Sequence, residues 1–332
     1  MNDFYSQERR NRRVTALLMA GFFVILALLG LAVDLYTFGS FEAFGFPLAT
    51  FLALSFATIN GALAYYHGSA IVMRSLGAKH LSYKNARHRQ LHNIVVEMAL
   101  ASGLPMPRIY VMDDPSPNAF ATGRGPRHAA IVVTEGLLET LNREELQAVV
   151  AHEMGHIRNL DILTMTVVSV LLGTVAILSD WAIRTWRYGG MKGRRRGKGL
   201  GALLIIIIAL FVIISPLVSR LIAMAVSRSR EYMADASSAE FTRNPGALAQ
   251  ALEKISRADT PLGAATRGTA HLFIINPLGR ALNEKEGRIA DLLSTHPPIE
   301  KRIERLRKMA YIGERGEARG ENVNPAPRLA RA

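Results

Sequence analysis

The chain has 332 residues, 49% of them hydrophobic and 20% charged, with 40 Lys+Arg against 27 Asp+Glu and no cysteine. That length allows about two domains without covalent staples, and so apolar a chain is not a solvated disordered polymer. The missing cysteines exclude disulfides, thiolate metal ligands and a cysteine nucleophile, so any metal site must draw on His, Asp and Glu.

In chain order, residues 14–33 are an uncharged apolar run. At 1.5 Å per residue such a run is long enough to cross a hydrocarbon core of about 30 Å. No small-residue cleavage site follows it; Asp34, Leu35 and Tyr36 do, so it reads as an uncleaved anchor rather than a secretory signal. Residues 46–66 form a second such run. Arg9, Arg10, Arg12 and Arg13 precede the first run, no Lys or Arg lies between 34 and 45, and Arg74, Lys79, Lys84, Arg87 and Arg89 follow the second. The positive-inside rule then puts both ends of this N-terminal hairpin, residues 1–69, on the cytoplasmic side.

Residues 70–161 are mixed in character. The spacing of Leu91, Ile94, Val95, Met98 and Ala99 predicts a helix that Gly103 and Pro105 stop. Residues 108–112 and 131–134 predict strands, joined through a loop rich in Pro, Gly and Asn. Asn142 with Glu145 three positions on predicts a capping box opening a helix over 143–158. Runs at 162–179 and 200–219 make a second hydrophobic hairpin, 162–219. Its loop holds Arg184, Arg187, Lys192, Arg194, Arg195, Arg196 and Lys198, so the pair either spans against the charge rule or turns back without crossing. Residues 220–312 read as mainly helical and polar, and 313–332, dominated by Gly, Arg, Glu and Pro, as a disordered tail. The fold class expected is mainly α with a small β-sheet (α+β), in a helical integral membrane protein.

Inside the capped helix stands His152-Glu153-Met154-Gly155-His156. Residues four apart share one helical face, so both imidazoles can reach a single zinc ion, while Glu153, rotated by about 100°, stands beside it. Such an ion lowers the pKa of water toward about 7, and a neighbouring carboxylate can take the proton as the water attacks a carbonyl. A third protein ligand is still needed. Glu231 and Asp235, four apart on a predicted helix, offer two carboxylates, one for the metal and one to fix a histidine tautomer. Such a cage closes only if an even number of membrane crossings separates His156 from Glu231.

At these residues the sequence resembles the HtpX-type membrane zinc metalloproteases, relatives of the CAAX prenyl proteases within the gluzincin group. The likeness runs from about position 14 to 306. It is carried by Gly103-Leu104-Pro105-Met106-Pro107, Asn118-Ala119-Phe120-Ala121-Thr122-Gly123, residues 152–161, residues 231–235, and Ser294-Thr295-His296-Pro297-Pro298. The resemblance implies a gluzincin-like protease domain with one zinc ion held by His152, His156 and Glu231, and Glu153 as general base. It further implies Asp235 behind a ligand and His296 approaching the reacting group to stabilise an oxyanion. An extended polypeptide substrate would pair with an edge strand at Ala129, Ala130, Ile131 and Val132, in a groove shaped by Asn118. By the same resemblance the protein sits in a bacterial cytoplasmic (inner) membrane as a multi-pass protein. Its active site would face the cytoplasm, and its substrates would be misfolded or damaged membrane proteins in stress-related quality control. The basic, Gly-rich loop 187–199 departs from that pattern.

Other readings carry less. A transporter usually places ionisable groups inside its spans, and none lies inside the four apolar runs. A nucleic-acid partner is not expected, because the excess cations sit beside spans and in tails, where bilayer topology and lipid account for them. A zinc hydrolase acting on something other than a peptide remains the main alternative, since the two-histidine helix specifies water activation more tightly than it specifies an amide. His67, His80, His88 and His92 are expected to be solvated or at lipid headgroups, and His128 and His271 to be structural or exposed.

Overall fold

A computed structural model of the chain describes residues 4–38, 47–189, 228–258, 260, 262–266, 268–275, 277 and 297–320. The fourth apolar run, the basic loop from 190 onward and His296 lie outside the described residues.

Two long helices come first, α1 (Phe4–Phe38) and α2 (Leu48–Ser75). Asp34 ties them together by accepting the backbone N–H groups of Ala49 and Thr50 and the Thr50 hydroxyl, which satisfies donors at the start of α2. A two-residue strand β1 (Lys79–His80) leads to α3 (Ala86–Ser102). Helix α3 is N-capped by the Asn85 side chain and ends at Gly103, whose φ of 69° is the left-handed conformation glycine adopts without strain. Strands β2 (Arg108–Met112), β3 (Ala119–Thr122) and β4 (Ala130–Thr134) follow, then α4 (Glu135–Thr140), α5 (Arg143–Arg158) and α6 (Asp161–Gly189). The remaining helices are α7 (Arg228–Thr242), α8 (Pro245–Arg257) and α9 (Ile299–Gly320). Helices α1, α2 and α6 are each long and apolar enough to cross a membrane.

The sheet order is β1-β2-β4-β3, with β2 and β4 parallel and both outer pairs antiparallel. Successive side chains of a strand point to opposite faces. Ile109, Val111, Ile131 and Val133 therefore pack with Leu91, Ile94, Leu146, Val149 and Leu248 from α3, α5 and α8. Tyr110, Met112, Phe120 and Val132 pack instead with Val72, Met73, Leu163 and Val167 from α2 and α6. The sheet is thus buried on both faces, between the helices that carry the site and the ends of the membrane helices.

Three expectations change. Ala119–Thr122, read as loop, is strand β3: Ala-Phe-Ala-Thr carries weak strand propensity after two prolines, but pairing with Ile131 and Val133 overrides it. The last helix continues to Gly320 instead of ending at 313, because Glu, Arg and Ala between the glycines are good helix formers; residues 321–332 lie outside the described residues. His88 is not solvated. It is buried, with Nε2 2.8 Å from Glu135 Oε1 and Nδ1 accepting the Ser82 N–H, so it locks the start of α3 to α4.

Candidate metal centre

Helix α5 begins as its sequence dictates. Asn142 accepts the Glu145 N–H while Glu145 accepts the Asn142 N–H, completing the capping box. Lys254 Nζ of α8 also reaches Glu145 Oε2 at 2.8 Å, which locks the helix start to its neighbour. Residues 145–157 are almost wholly buried, so His152, Glu153 and His156 are presented inside the protein, not to solvent. Helix α7 crosses close by because Gly155 has no side chain: a Cβ there would meet Ser237 Cβ at 2.8 Å and Ala234 Cα at 3.1 Å. That approach brings Glu231 over the two imidazoles.

Three donors converge. His152 Nε2 and His156 Nε2 lie 3.2 Å apart. Glu231 Oε2 is 3.7 Å from the first and its Oε1 is 3.6 Å from the second. Tetrahedral zinc with arms of about 2.0–2.1 Å has ligand-to-ligand edges of about 3.3 Å, so the observed spacing suits one such ion. The other ring nitrogens are held from behind. His152 Nδ1 faces Asp235 Oδ1 at 3.0 Å, and His156 Nδ1 faces Asp161 Oδ2 at 3.0 Å. With each Nδ1 directed at its carboxylate, both Nε2 atoms and the Glu231 carboxylate face one space, where the proton of His156 and the nearby Arg302 Nη2, 3.5 Å from His152 Nε2, supply in the metal-free chain the positive charge that an ion would replace. The donor set therefore fits a metal ion.

Sequence reading missed Arg302, from α9. Its side chain is buried, with Nε 3.0 Å from Asp235 Oδ2, Nη2 2.7 Å from Asp235 Oδ1 and Nη1 3.0 Å from Glu231 Oε2. It also missed Asp161, which stands in the first turn of α6 directly after the short turn that ends α5. Arg302 has no local signal, and Asp161, at the end of the segment 152–161, was given no role there; the turn after α5 brings it back to His156.

Charges in this buried cluster are strongly shifted in the metal-free chain. Burial raises the Glu153 carboxyl, the charges on His156 and Arg302 oppose that and Glu231 adds to it, leaving it at about 7. Burial lowers His156, but Asp161, Glu231 and Glu153 outweigh it and raise the ring to about 9. His152 goes the other way, since burial together with His156 and Arg302 outweighs Asp235 and holds it below the ordinary histidine value. For Asp235 burial acts upward, yet Arg302 and His152 dominate and keep it ionised.

A profile of Peptidase family M48 matches residues 85–310, which includes every residue of this cluster. This chain belongs to peptidase family M48. Among the proteins similar to it are a Protease HtpX homolog of Caldanaerobacter subterraneus subsp. tengcongensis, 43% identical over 307 residues covering 92% of this chain and 97% of that protein. Another Protease HtpX homolog, from Thermoanaerobacter pseudethanolicus, is 44% identical over 307 residues with the same coverage. Among solved structures, S. mikatae Ste24p aligns with a TM-score of 0.48 and 19% identity, over 90% of this chain and 66% of that one. The M48 chain described here is accordingly a metalloprotease, and its long apolar helices mark it as a membrane protein.

The groove expected at Ala129, Ala130, Ile131 and Val132 is not an edge. In this M48 protein β4 lies between β2 and β3, with both sides of its backbone engaged, so no polypeptide can add there; unrecognised β3 is the cause. The outer side of β3 is itself in use, as Ala119 O accepts the N–H of Ile274 at 3.0 Å. Asn118 is buried and grips the next residue, its Nδ2 donating to Ile275 O at 2.9 Å and its Oδ1 accepting from Ile275 N at 3.5 Å. Arg302 Nη1 donates to Ile274 O at 3.2 Å. His271 is structural, buried against Ser169 and the Met165 carbonyl.

Proposed function

We propose that this M48 protein is a membrane-bound zinc endopeptidase whose metal is held by His152, His156 and Glu231, with Glu153 as general base. The convergence of those three donors in one buried space carries the reading. Zinc bound there supplies a Lewis acid that polarises a scissile carbonyl and acidifies water toward a pKa of about 7. Glu153, on the same helix between the two histidines, takes the proton of the attacking water and passes it to the departing amine. Asp235 and Asp161 hold the proton on each Nδ1, so both imidazoles keep the neutral tautomer with Nε2 facing inward. Arg302 fixes the carboxylates of Asp235 and Glu231 in their orientations. Oxyanion stabilisation by His296 is part of the same proposal.

Cleavage at the cytoplasmic face is supported by geometry. The Arg-rich end of α1 lies beside the metal cluster, since Asn11 Nδ2 donates to Asn159 O at 2.8 Å just past α5. Asp161 at the start of α6 and Glu231 on α7 meet in this cluster, which supports an even number of bilayer crossings between them. We place the protein in a bacterial cytoplasmic membrane, with misfolded or damaged membrane proteins as substrates.

Chelation tests this reading. Stripping zinc from the purified full-length protein should abolish cleavage of casein and of a denatured membrane protein, and adding zinc back should restore both. Cleavage that survives with no bound metal would rule the reading out, and zinc-dependent hydrolysis confined to non-peptide esters would favour the alternative hydrolase.

Metal uptake should also depend on pH in a stated direction. His156 must be neutral to bind, and in the metal-free chain it keeps its proton up to about 9. Zinc therefore displaces a proton at neutral pH, and apparent affinity should weaken by up to about tenfold per unit as pH falls from 8 to 6. Competition against a chromophoric chelator, corrected for the chelator's own protonation, measures this; a flat profile would contradict it.

A further inference from the structure

The cytoplasmic end of α1 carries Gln7, Asn11 and Thr15 at four-residue spacing, all buried. Polar groups four apart share one helical face, and burying them is costly unless each finds a partner. Thr15 Oγ1 donates to the Asn11 backbone carbonyl at 2.9 Å and meets Thr164 Oγ1 of α6 at 2.9 Å, so it ties the two helices together without touching the Asn11 side chain. Asn11 does something else.

Its amide nitrogen donates twice. One hydrogen goes to the Asn159 carbonyl at 2.8 Å and the other to Asp161 Oδ1 at 2.7 Å. Asn159 is the C-cap of α5, the helix bearing both histidines, and Asp161 opens α6. Between them Leu160 has φ 58°, a left-handed conformation unfavourable for a side-chain-bearing residue, so this corner needs outside support. Asp161 divides its oxygens: Oδ1 takes the Asn11 amide and Oδ2 takes His156 Nδ1. Arg230 Nη1 stands 3.7 Å from Oδ1, a competing cation toward which the carboxylate can swing if the amide is removed.

We infer that Asn11 is a positioning residue of the metal centre, acting through Asp161 on the His156 imidazole, so that the first membrane helix is a working part of the site. The inference rests on His156 being a metal ligand. Asn11 lies outside residues 85–310, the stretch that the family profile matches.

The test uses full-length protein in mild detergent and zinc as the probe. Dissociation constants come from chelator competition, and melting temperatures of the metal-free forms are measured alongside. Asn11→Ala should weaken zinc binding by about tenfold, within the range found for partners that orient a ligand. Thr15→Ala, which removes a buried hydrogen bond from the same helix pair, should leave affinity within about twofold of wild type despite a comparable fall in melting temperature. In an Asp161→Asn background, Asn11→Ala should add no further loss, because the path it acts through is already broken. Unchanged affinity in Asn11→Ala overturns the inference. So does equal weakening by Thr15→Ala, which would make the effect one of packing, and so does full additivity with Asp161→Asn. Should Asn11→Ala fail to fold, Asn11→Ser takes its place under the same criteria. A wild-type protein that binds no zinc would refute the metal reading itself, a distinct outcome.

Discussion

Glu153→Gln is expected to lower peptide cleavage by roughly 10³-fold, within the 10²–10⁴ that a positioned acid–base group contributes, while bound zinc stays at the wild-type level. The side chain is buried between the two histidines of α5 and receives a backbone hydrogen bond from Ala121. Glutamine matches its shape but accepts no proton at neutral pH. Zinc should be retained because the contacts among His152, His156 and Glu231, and those of Asp235, Asp161 and Arg302 behind them, do not pass through Glu153. Metal analysis and casein cleavage of the two proteins side by side decide the matter, and comparable cleavage by both would remove Glu153 from the chemistry.

Arg302→Leu should cost about 3–5 kcal/mol of stability, the range for deleting one partner of a buried ion cluster. The guanidinium is the nearest cation to both Asp235 and Glu231, and all three residues are buried. Leucine fills part of the volume but leaves two carboxylates facing one another in a low-dielectric interior, and it frees the Ile274 carbonyl. An exposed pair on the same helix, Lys308 with Glu304, supplies the control: Lys308→Ala should leave stability close to that of the wild type. Denaturant titration of metal-free protein measures both. A loss below about 1 kcal/mol for Arg302→Leu would mean that the cluster is not held by this charge.

Elements with strong local signals were legible in the sequence. Asn142 and Glu145 mark the start of α5, Gly103 marks the end of α3, and the segment 108–112, Arg108 followed by four largely apolar residues, is a strand with those bounds. The histidine pair was legible from its four-residue spacing, whereas spacing offered Glu231 and Asp235 alike as the third donor and only the family resemblance singled out Glu231, which the fold brings to both imidazoles. What escaped depends on distant partners. Strand β3 exists because β4 offers it a ladder, and missing it turned an interior strand into an apparent edge. Arg302 and Asn11 are unremarkable in sequence, and their roles arise from positions up to 150 residues apart meeting in one place; Asp161 closes the segment 152–161, but its contact with His156 depends on the sharp turn at Leu160. His88 was misread for the same reason, since Glu135, 47 residues on, closes over it.

Ile274 and Ile275 have all four of their peptide hydrogen-bonding groups occupied, by Ala119, Asn118 and Arg302. A foreign chain reaching for that same carbonyl of Ala119 meets a tenant tethered at close range, whose effective concentration is of millimolar order. Docking at this margin is then an exchange, driven by the difference between two similar sets of contacts and not by the whole of either. Tight ground-state association is disfavoured there.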